Sequence, residues 1–258
     1  MSLPLYDHHV HLDDPRLSDG DIQSGLDDPR LVGAVNAGYG PERDACARVW
    51  VAQDPRLHRS VGLHPWWLAN HSESQIGEQW ASVLAAAVEP GVVAIGEMGL
   101  DRNIRDKSPL DRQVAHLQLA LVACQRHGLP AILHVVRWTG HALKILTELP
   151  PPSGVLHRYG GPVELVRTFQ QLGLFISIDT TRWMRHPDQV AAIIAVADPN
   201  LVLVETDWPQ RPRPWAEALD DLERLVRFIA RGRGLSAELV ADQLVANARR
   251  LYGTCAIQ

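Results

Sequence analysis

Short apolar runs rich in β-branched residues recur along the whole chain. They lie at residues 3–7 (LPLYD), 31–36 (LVGAVN), 59–63 (RSVGL), 92–96 (VVAIG), 130–135 (PAILHV), 154–157 (GVLH), 174–178 (LFISI) and 201–205 (LVLVE). Each has the length of a strand, so eight strands are predicted. The segments between them are longer and several carry helical spacing; within 109–127, Leu110, Val114, Leu117, Leu121 and Cys124 fall on one face. Strand and helix alternating in this way predict a parallel sheet. A (β/α)8 barrel takes about 250 residues, and the chain has 258, so the predicted fold is α/β, a TIM-type (β/α)8 barrel with residues 1–258 as one domain. A doubly wound open sheet alternates similarly, but no glycine-rich phosphate fingerprint follows the first strand. The proline-rich stretches at 150–152 and 209–214 read as loops.

Barrel enzymes carry their chemistry at the carboxyl ends of the strands, and here the polar residues ending each apolar run are unusually uniform. Strand 1 ends in Asp7-His8-His9-Val10-His11, strand 3 in His64-Pro65, strand 4 in Gly96-Glu97, strand 5 in His134, strand 6 in His157 and strand 8 in Glu205-Thr206-Asp207. Side chains alternate along a strand, so His9 and His11 share a side with Asp7 next on it, and His8 is expected to face away. A lone histidine at a strand end is usually a hydrogen-bonded structural group. Four such ends with histidine and two with acids point instead to metal binding.

Imidazole and carboxylate donors suit Zn²⁺ or Mn²⁺, and a carboxylate-rich site accepts Mg²⁺. The expected cofactors are two divalent ions, Mg²⁺ first, with Zn²⁺ and Mn²⁺ as alternatives. The first falls to His9, His11, Glu97 and Asp207, the second to Glu97, His134 and His157, with Glu97 bridging. Two cations about 3.5–4 Å apart clamp the attacking and leaving oxygens of an in-line displacement and activate water; Asp207 is placed to act as general base.

Weaker candidates surround this set. His64 either donates to a substrate phosphate or caps its strand, and Asp101 either orients a ligand or makes an Asx turn. Arg137 and Arg158 follow two proposed ligands, where a guanidinium holds a phosphate oxygen bidentately or salt-bridges at the surface. Trp66, Trp67, Trp138, Trp183 and Trp208 follow strand ends; base stacking is one reading, with Trp66 the substrate-binding candidate, and loop-anchoring packing is the expected role for most. Glu205 reads as a buried strand residue with a local partner.

The formal charge of −5 rules out a global basic field, so any contact with nucleic acid must be local. Cys46, Cys124 and Cys255 are scattered and form no CxxC, which predicts a reduced, cytoplasmic setting. The amino-terminal residues lack a signal-peptide pattern, and no apolar run of about 18 residues occurs; the expected protein is soluble, not exported, without a membrane partner, and monomeric.

The order of motifs resembles the TatD family of metal-dependent deoxyribonucleases. The matching blocks are D-H-H-V-H-L at 7–12, V-G-L-H-P at 61–65, A-I-G-E-M-G-L-D at 94–101, L-P-A-I-L-H at 129–134, G-V-L-H-R-Y-G-G at 154–161, V-E-T-D-W-P at 204–209 and N-A-R-R-L-Y at 247–252. The resemblance implies a two-metal site on the ligands above, water activation by Asp207, and hydrolysis of DNA, often as a 3'-to-5' exonuclease dependent on Mg²⁺. DNA is the implied partner ahead of RNA, and Asn247 matches a family residue that helps the last helix close the barrel. Some members act in multi-gene modules, including anti-phage systems, whose partner proteins leave no mark on this sequence.

Three loops depart from the family pattern. The usual H-x-R-D is His134-Val135-Val136-Arg137, the usual H-C-F-S-G is His157-Arg158-Tyr159-Gly160-Gly161, and the S-P-Y-L type run is Trp208-Pro209-Gln210-Arg211. A rebuilt substrate site follows. A rival reading is an amidohydrolase acting on a small cyclic amide, lactone or ester, but such enzymes commonly bridge their metals through a carbamylated lysine near strand 4, and that run has none. A catalytically silent barrel would be expected to lack a ligand, and all six are present.

Overall fold

The computed structural model describes residues 2–210 and 212–253. All eight apolar runs form strands: β1 (Leu5–Val10), β2 (Leu31–Asn36), β3 (Leu57–Val61), β4 (Val92–Asp101), β5 (Ala131–Val136), β6 (Gly154–His157), β7 (Leu174–Asp179) and β8 (Val202–Glu205). They pair in chain order, every pair parallel. The sheet curls until β1 meets β8: Val10 bridges Trp208, His11 N donates to Trp208 O at 2.7 Å, and Asp207 N donates to His9 O at 3.0 Å. The predicted TIM-type barrel is the observed fold.

Asp7 reinforces this seam rather than joining the site. Its carboxylate accepts from Thr206 N (2.9 Å), Thr206 Oγ1 (2.6 Å) and Trp215 Nε1 (3.2 Å), so it faces the helix Trp215–Arg233. The Trp215 ring stacks on Trp208, and both are buried. The expectation that Asp7 shares a face with His9 fails because the register of β1 against β2 shifts between Asp7 and Val10, which interrupts the strict alternation on which it rested.

Helices fill the intervals and pack on the outside of the sheet. The helix Leu110–His127 buries Leu117, Leu121 and Cys124 fully and rests Leu110 and Val114 partly on the core, the predicted stripe; Gly128, left-handed at φ 67°, ends it. Inside the barrel a smaller cluster includes Tyr6, Val35, Ile132 and Phe175, and Leu251 and Tyr252 of the last helix, Ala237–Tyr252, close one end of it. Asn247 anchors that helix by donating to Pro199 O and Val202 O, each at 2.8 Å.

Three strands differ from the sequence reading by two residues or more: β1 starts two residues later and ends three later than the run at 3–7. β3 starts and stops two residues earlier than the run at 59–63, and β4 continues past Glu97 to Asp101 because β5 extends beside it, Met98 opposite Leu133 and Asp101 opposite Val136. Among the described residues no helix is long and apolar enough to cross a membrane. Cys46 and Cys124 are free thiols; Cys255 and Arg211 lie outside the described residues.

Candidate metal centre

Glu97 stands at the middle of the barrel mouth. Its position depends on close backbone packing: Gly96 has φ +145°, and a Cβ on Gly62 or Gly38 would fall 2.8 and 2.5 Å from Gly96 atoms. Only glycine permits that approach, and it lets Glu97 N donate to Gly38 O at 2.8 Å. The side chain is 2% exposed.

The two oxygens of Glu97 face different histidines. Oε2 lies 3.3 Å from His9 Nε2 and 3.7 Å from His11 Nε2, while Oε1 lies 3.1 Å from His134 Nδ1 and 3.7 Å from both His157 Nε2 and His64 Nε2. Asp207 Oδ1 completes the first side, 3.5 Å from His11 Nε2 and 3.9 Å from His9 Nε2. All six residues named as ligands thus converge. Among the described residues four sets have donor atoms close enough to share an ion: His9 with His11 and Asp207, His9 with Glu97 and His157, His64 with Glu97 and His134, and, deeper in the barrel, His8 with His9 and Glu205. Both ring nitrogens of His9 and Nδ1 of His11 are buried without a hydrogen bond of good geometry. A buried polar atom is normally satisfied, so these orphaned nitrogens, beside two carboxylates, fit metal donation.

The surrounding contacts select tautomers. His157 Nδ1 lies 3.0 Å from Glu205 Oε2; as the donor there, it leaves Nε2 with a lone pair toward Glu97, the usual arrangement of a ligating histidine oriented by an outer carboxylate. His134 Nε2 faces Asp101 Oδ2 at 3.3 Å and plays the same part. Asp101 therefore does both things considered for it, since its Oδ1 also accepts from Asn103 N in the turn after β4. His64 differs: Nδ1 accepts from Trp66 N at 3.0 Å, capping the short helix Pro65–Leu68, so the neutral ring carries its proton on Nε2, which lies 3.3 Å from His134 Nδ1 and 3.7 Å from Glu97 Oε1 at the wall of the cleft.

Electrostatics follow from crowding in a dry site. Burial alone would raise the carboxyls, but the facing imidazoles hold Glu97 well below the ordinary range, and the hydrogen bond from His11 with the charges of His157 and Arg158 does the same for Asp207. Burial pushes His9 down to about 4 and His64 to about 3. At His11 and His134 burial opposes protonation but the neighbouring carboxylates outweigh it, giving about 9 for each.

Two further buried residues, Glu205 and His8, support the site from behind. Glu205 is fully buried and joins His157 to His8 by ion-pair contacts, while its other oxygen accepts from Arg158 N at 2.7 Å. His8, expected to face away, instead points into the barrel, with Ser177 Oγ 2.6 Å and Tyr252 OH 3.1 Å from its ring nitrogens. The register shift in β1 explains how adjacent His8 and His9 both reach the interior. The signal available in the sequence was an acid inside an apolar strand, which needs a buried partner.

The substrate-side candidates separate. Arg158 binds Asp207 Oδ2 at 2.7 Å and approaches Asp179 Oδ2 at 3.3 Å; Gln210 also donates to Asp207. Arg137 is exposed at the rim. Trp66 is 48% exposed and anchored by its ring N–H to Asp101, whereas Trp67 and Trp208 are core residues, matching the expectation that most of the tryptophans pack.

A parallel barrel with acids and imidazoles gathered round a shared carboxylate is the architecture of a metal-dependent hydrolase, and the comparisons agree. The model of the family described as TatD related DNase matches residues 6–253. The chain is 31% identical to an uncharacterised metal-dependent hydrolase of Escherichia coli, YjjV, over 82% of either protein. It is 32% identical to the 3'-5' ssDNA/RNA exonuclease TatD of a Rahnella species, over 76% of this chain and 77% of the relative. The crystal structure of YjjV superposes with a TM-score of 0.84 at 26% identity, covering 97% of this chain and 98% of that one. The chain belongs to the TatD related DNase family, and it is an enzyme of the metal-dependent hydrolase and nuclease class.

Proposed function

We propose that the protein hydrolyses phosphodiester bonds in DNA, as an exonuclease, with two divalent cations as cofactors. The observation that carries this reading is the division of Glu97, whose oxygens face two separate groups of donors. One ion falls to His9, His11, Glu97 and Asp207, the other to Glu97, His134 and His157. Mg²⁺ is the expected occupant, with Mn²⁺ and Zn²⁺ also suited to the donors. Bound there, the pair supplies Lewis acidity and lowers the pKa of water.

The chain's own groups do the rest. Asp207, ionised and held in place by Arg158 and Gln210, receives the proton of the attacking water. His64, with its proton on Nε2, donates to a phosphate oxygen. Arg158 and Arg137 attract the phosphate, and the exposed face of Trp66 offers a base a surface to stack on. The nuclease name of the Rahnella relative supports a nucleic-acid substrate.

The test uses end-labelled single- and double-stranded DNA and RNA with either the 3' or the 5' end blocked, assayed with Mg²⁺, with Mn²⁺ and after thorough chelation. Expected is stepwise shortening of DNA from one end, abolished by EDTA and restored by either ion. Undiminished cleavage after chelation would remove the metal mechanism, and inertness toward every nucleic acid would remove the nuclease reading.

A further inference from the structure

A second cavity of about 480 Å³ opens beside the cleft over Glu97, walled by Arg137, Arg158, Arg182, Asn103, Trp66 and Gly160. It shares His134, His157, Arg158 and Trp66 with that cleft, so the two spaces adjoin. Three guanidinium groups face it against a single lining carboxylate, Asp101, already engaged by Trp66 and His134.

Arg182 is the least explained of these residues. Its guanidinium lies against the backbone of Gly160, where a Cβ would sit 2.2 Å from Nη2, and its Nε is buried with no hydrogen-bond partner. The nearest acid, Asp179, is occupied: its oxygens accept from Arg182 N, each at 3.1 Å, and face Arg158 Nε. Burial pushes the guanidinium of Arg182 down from its ordinary value, and Arg158 adds to the effect against Asp179. Arg137 and Arg158 follow the ligand-bearing strand ends with φ of 60° and 50°, a region costly for a side chain-bearing residue and most often tolerated where function requires it.

Resting on the nuclease reading above, we propose that this pocket binds a phosphomonoester next to the scissile phosphodiester, so that the enzyme prefers a substrate ending in a phosphate. A phosphomonoester carries close to two negative charges at neutral pH and three acceptor oxygens. That matches several arginine forks converging from different sides: Arg158 is partly neutralised by Asp207 and Asp179, but Arg137 and the buried Nε of Arg182 still offer donors that the single charge of an internal phosphodiester uses less fully. The monoester belongs either to an oligonucleotide end or to a free nucleotide.

The experiment compares kcat/KM for one oligonucleotide sequence ending in phosphate or in hydroxyl, at the 3' end and separately at the 5' end. For one end the phosphate form is expected to be cleaved about 10-fold faster or more, the worth of one charge-assisted pair. Arg182→Met should bring that ratio toward one and Arg182→Lys should retain part of it, with thermal unfolding confirming that both fold. A ratio of one in the wild-type enzyme, or an unchanged ratio in Arg182→Met, overturns the proposal. Calorimetric titration with thymidine 5'-monophosphate against thymidine tests the pocket apart from turnover. If the protein cleaves no phosphodiester, the nuclease reading fails, and selective binding of the monophosphate weakened by Arg182→Met still upholds the pocket, while equal binding of both overturns it. Tighter binding of a phosphate-ended oligonucleotide than of the mononucleotide assigns the pocket to nucleic-acid ends, and the reverse order to free nucleotides.

Discussion

Asp207 has a backbone φ of 50° and a carboxylate shared between His11 on one side and Arg158 with Gln210 on the other. Replacing it by asparagine keeps the shape but removes both charge and basicity. Asp207→Asn is expected to lower turnover roughly 10²–10⁴-fold with the thermal midpoint little changed, measured by steady-state cleavage of labelled DNA; a near-normal rate would take Asp207 out of the catalytic role. Glu205 acts one step further away, through the imidazole of His157. Glu205→Gln is expected to weaken metal activation about 10–100-fold, read as the Mn²⁺ concentration giving half-maximal activity, and an unchanged metal requirement would reduce Glu205 to packing. The six proposed ligands could be picked out from the sequence because they lie at or just past five apolar runs, His9 and His11 together at the first. Glu205 could be recognised as buried but not as a positioning residue, because its partners His8 and His157 come from strands distant in sequence.

At the scale of elements, the barrel depends on how β1, β8 and the last helix are fastened. Asn247 spans the carbonyls of Pro199 and Val202 from within the helix Ala237–Tyr252. Asn247→Ala leaves two carbonyls short of a donor, the buried one of Val202 at a cost of about 1–3 kcal/mol and the part-buried one of Pro199 at about 1 kcal/mol. A loss of about 2–4 kcal/mol is expected in urea unfolding, seen as a lower midpoint at constant m-value; a loss below half a kilocalorie would show that water substitutes for the amide. Periodicity identified all eight strands because burial of the sheet on both faces imposes continuous apolar runs. It misjudged the ends of β1, β3 and β4, since a strand stops where its neighbour stops pairing, as β4 and β5 do together at Asp101 and Val136, and local hydropathy does not contain that information.

Over the whole molecule, a net charge of −5 coexists with a mouth where Arg16, Arg43, Arg137, Arg158 and Arg182 line two adjoining cavities. Binding should therefore be local and weak. Fluorescence anisotropy of single-stranded DNA on Asp207→Asn protein is expected to show micromolar or weaker affinity at physiological salt, and a slope of log K against log salt no steeper than about −4. Nanomolar, length-independent binding would contradict this electrostatic picture. The sequence alone determined the barrel, the order of its strands and the acids and histidines at their carboxyl ends, because hydrophobic periodicity and strand-end polarity are local properties of a chain. Only the tertiary structure decided that His8 turns inward, that Glu205 links it to His157, and that Arg182 comes to lie behind Gly160 beside Arg158. Those contacts arise when the sheet closes on itself with an irregular register in β1, bringing together groups whose separation along the chain says nothing about their distance in space.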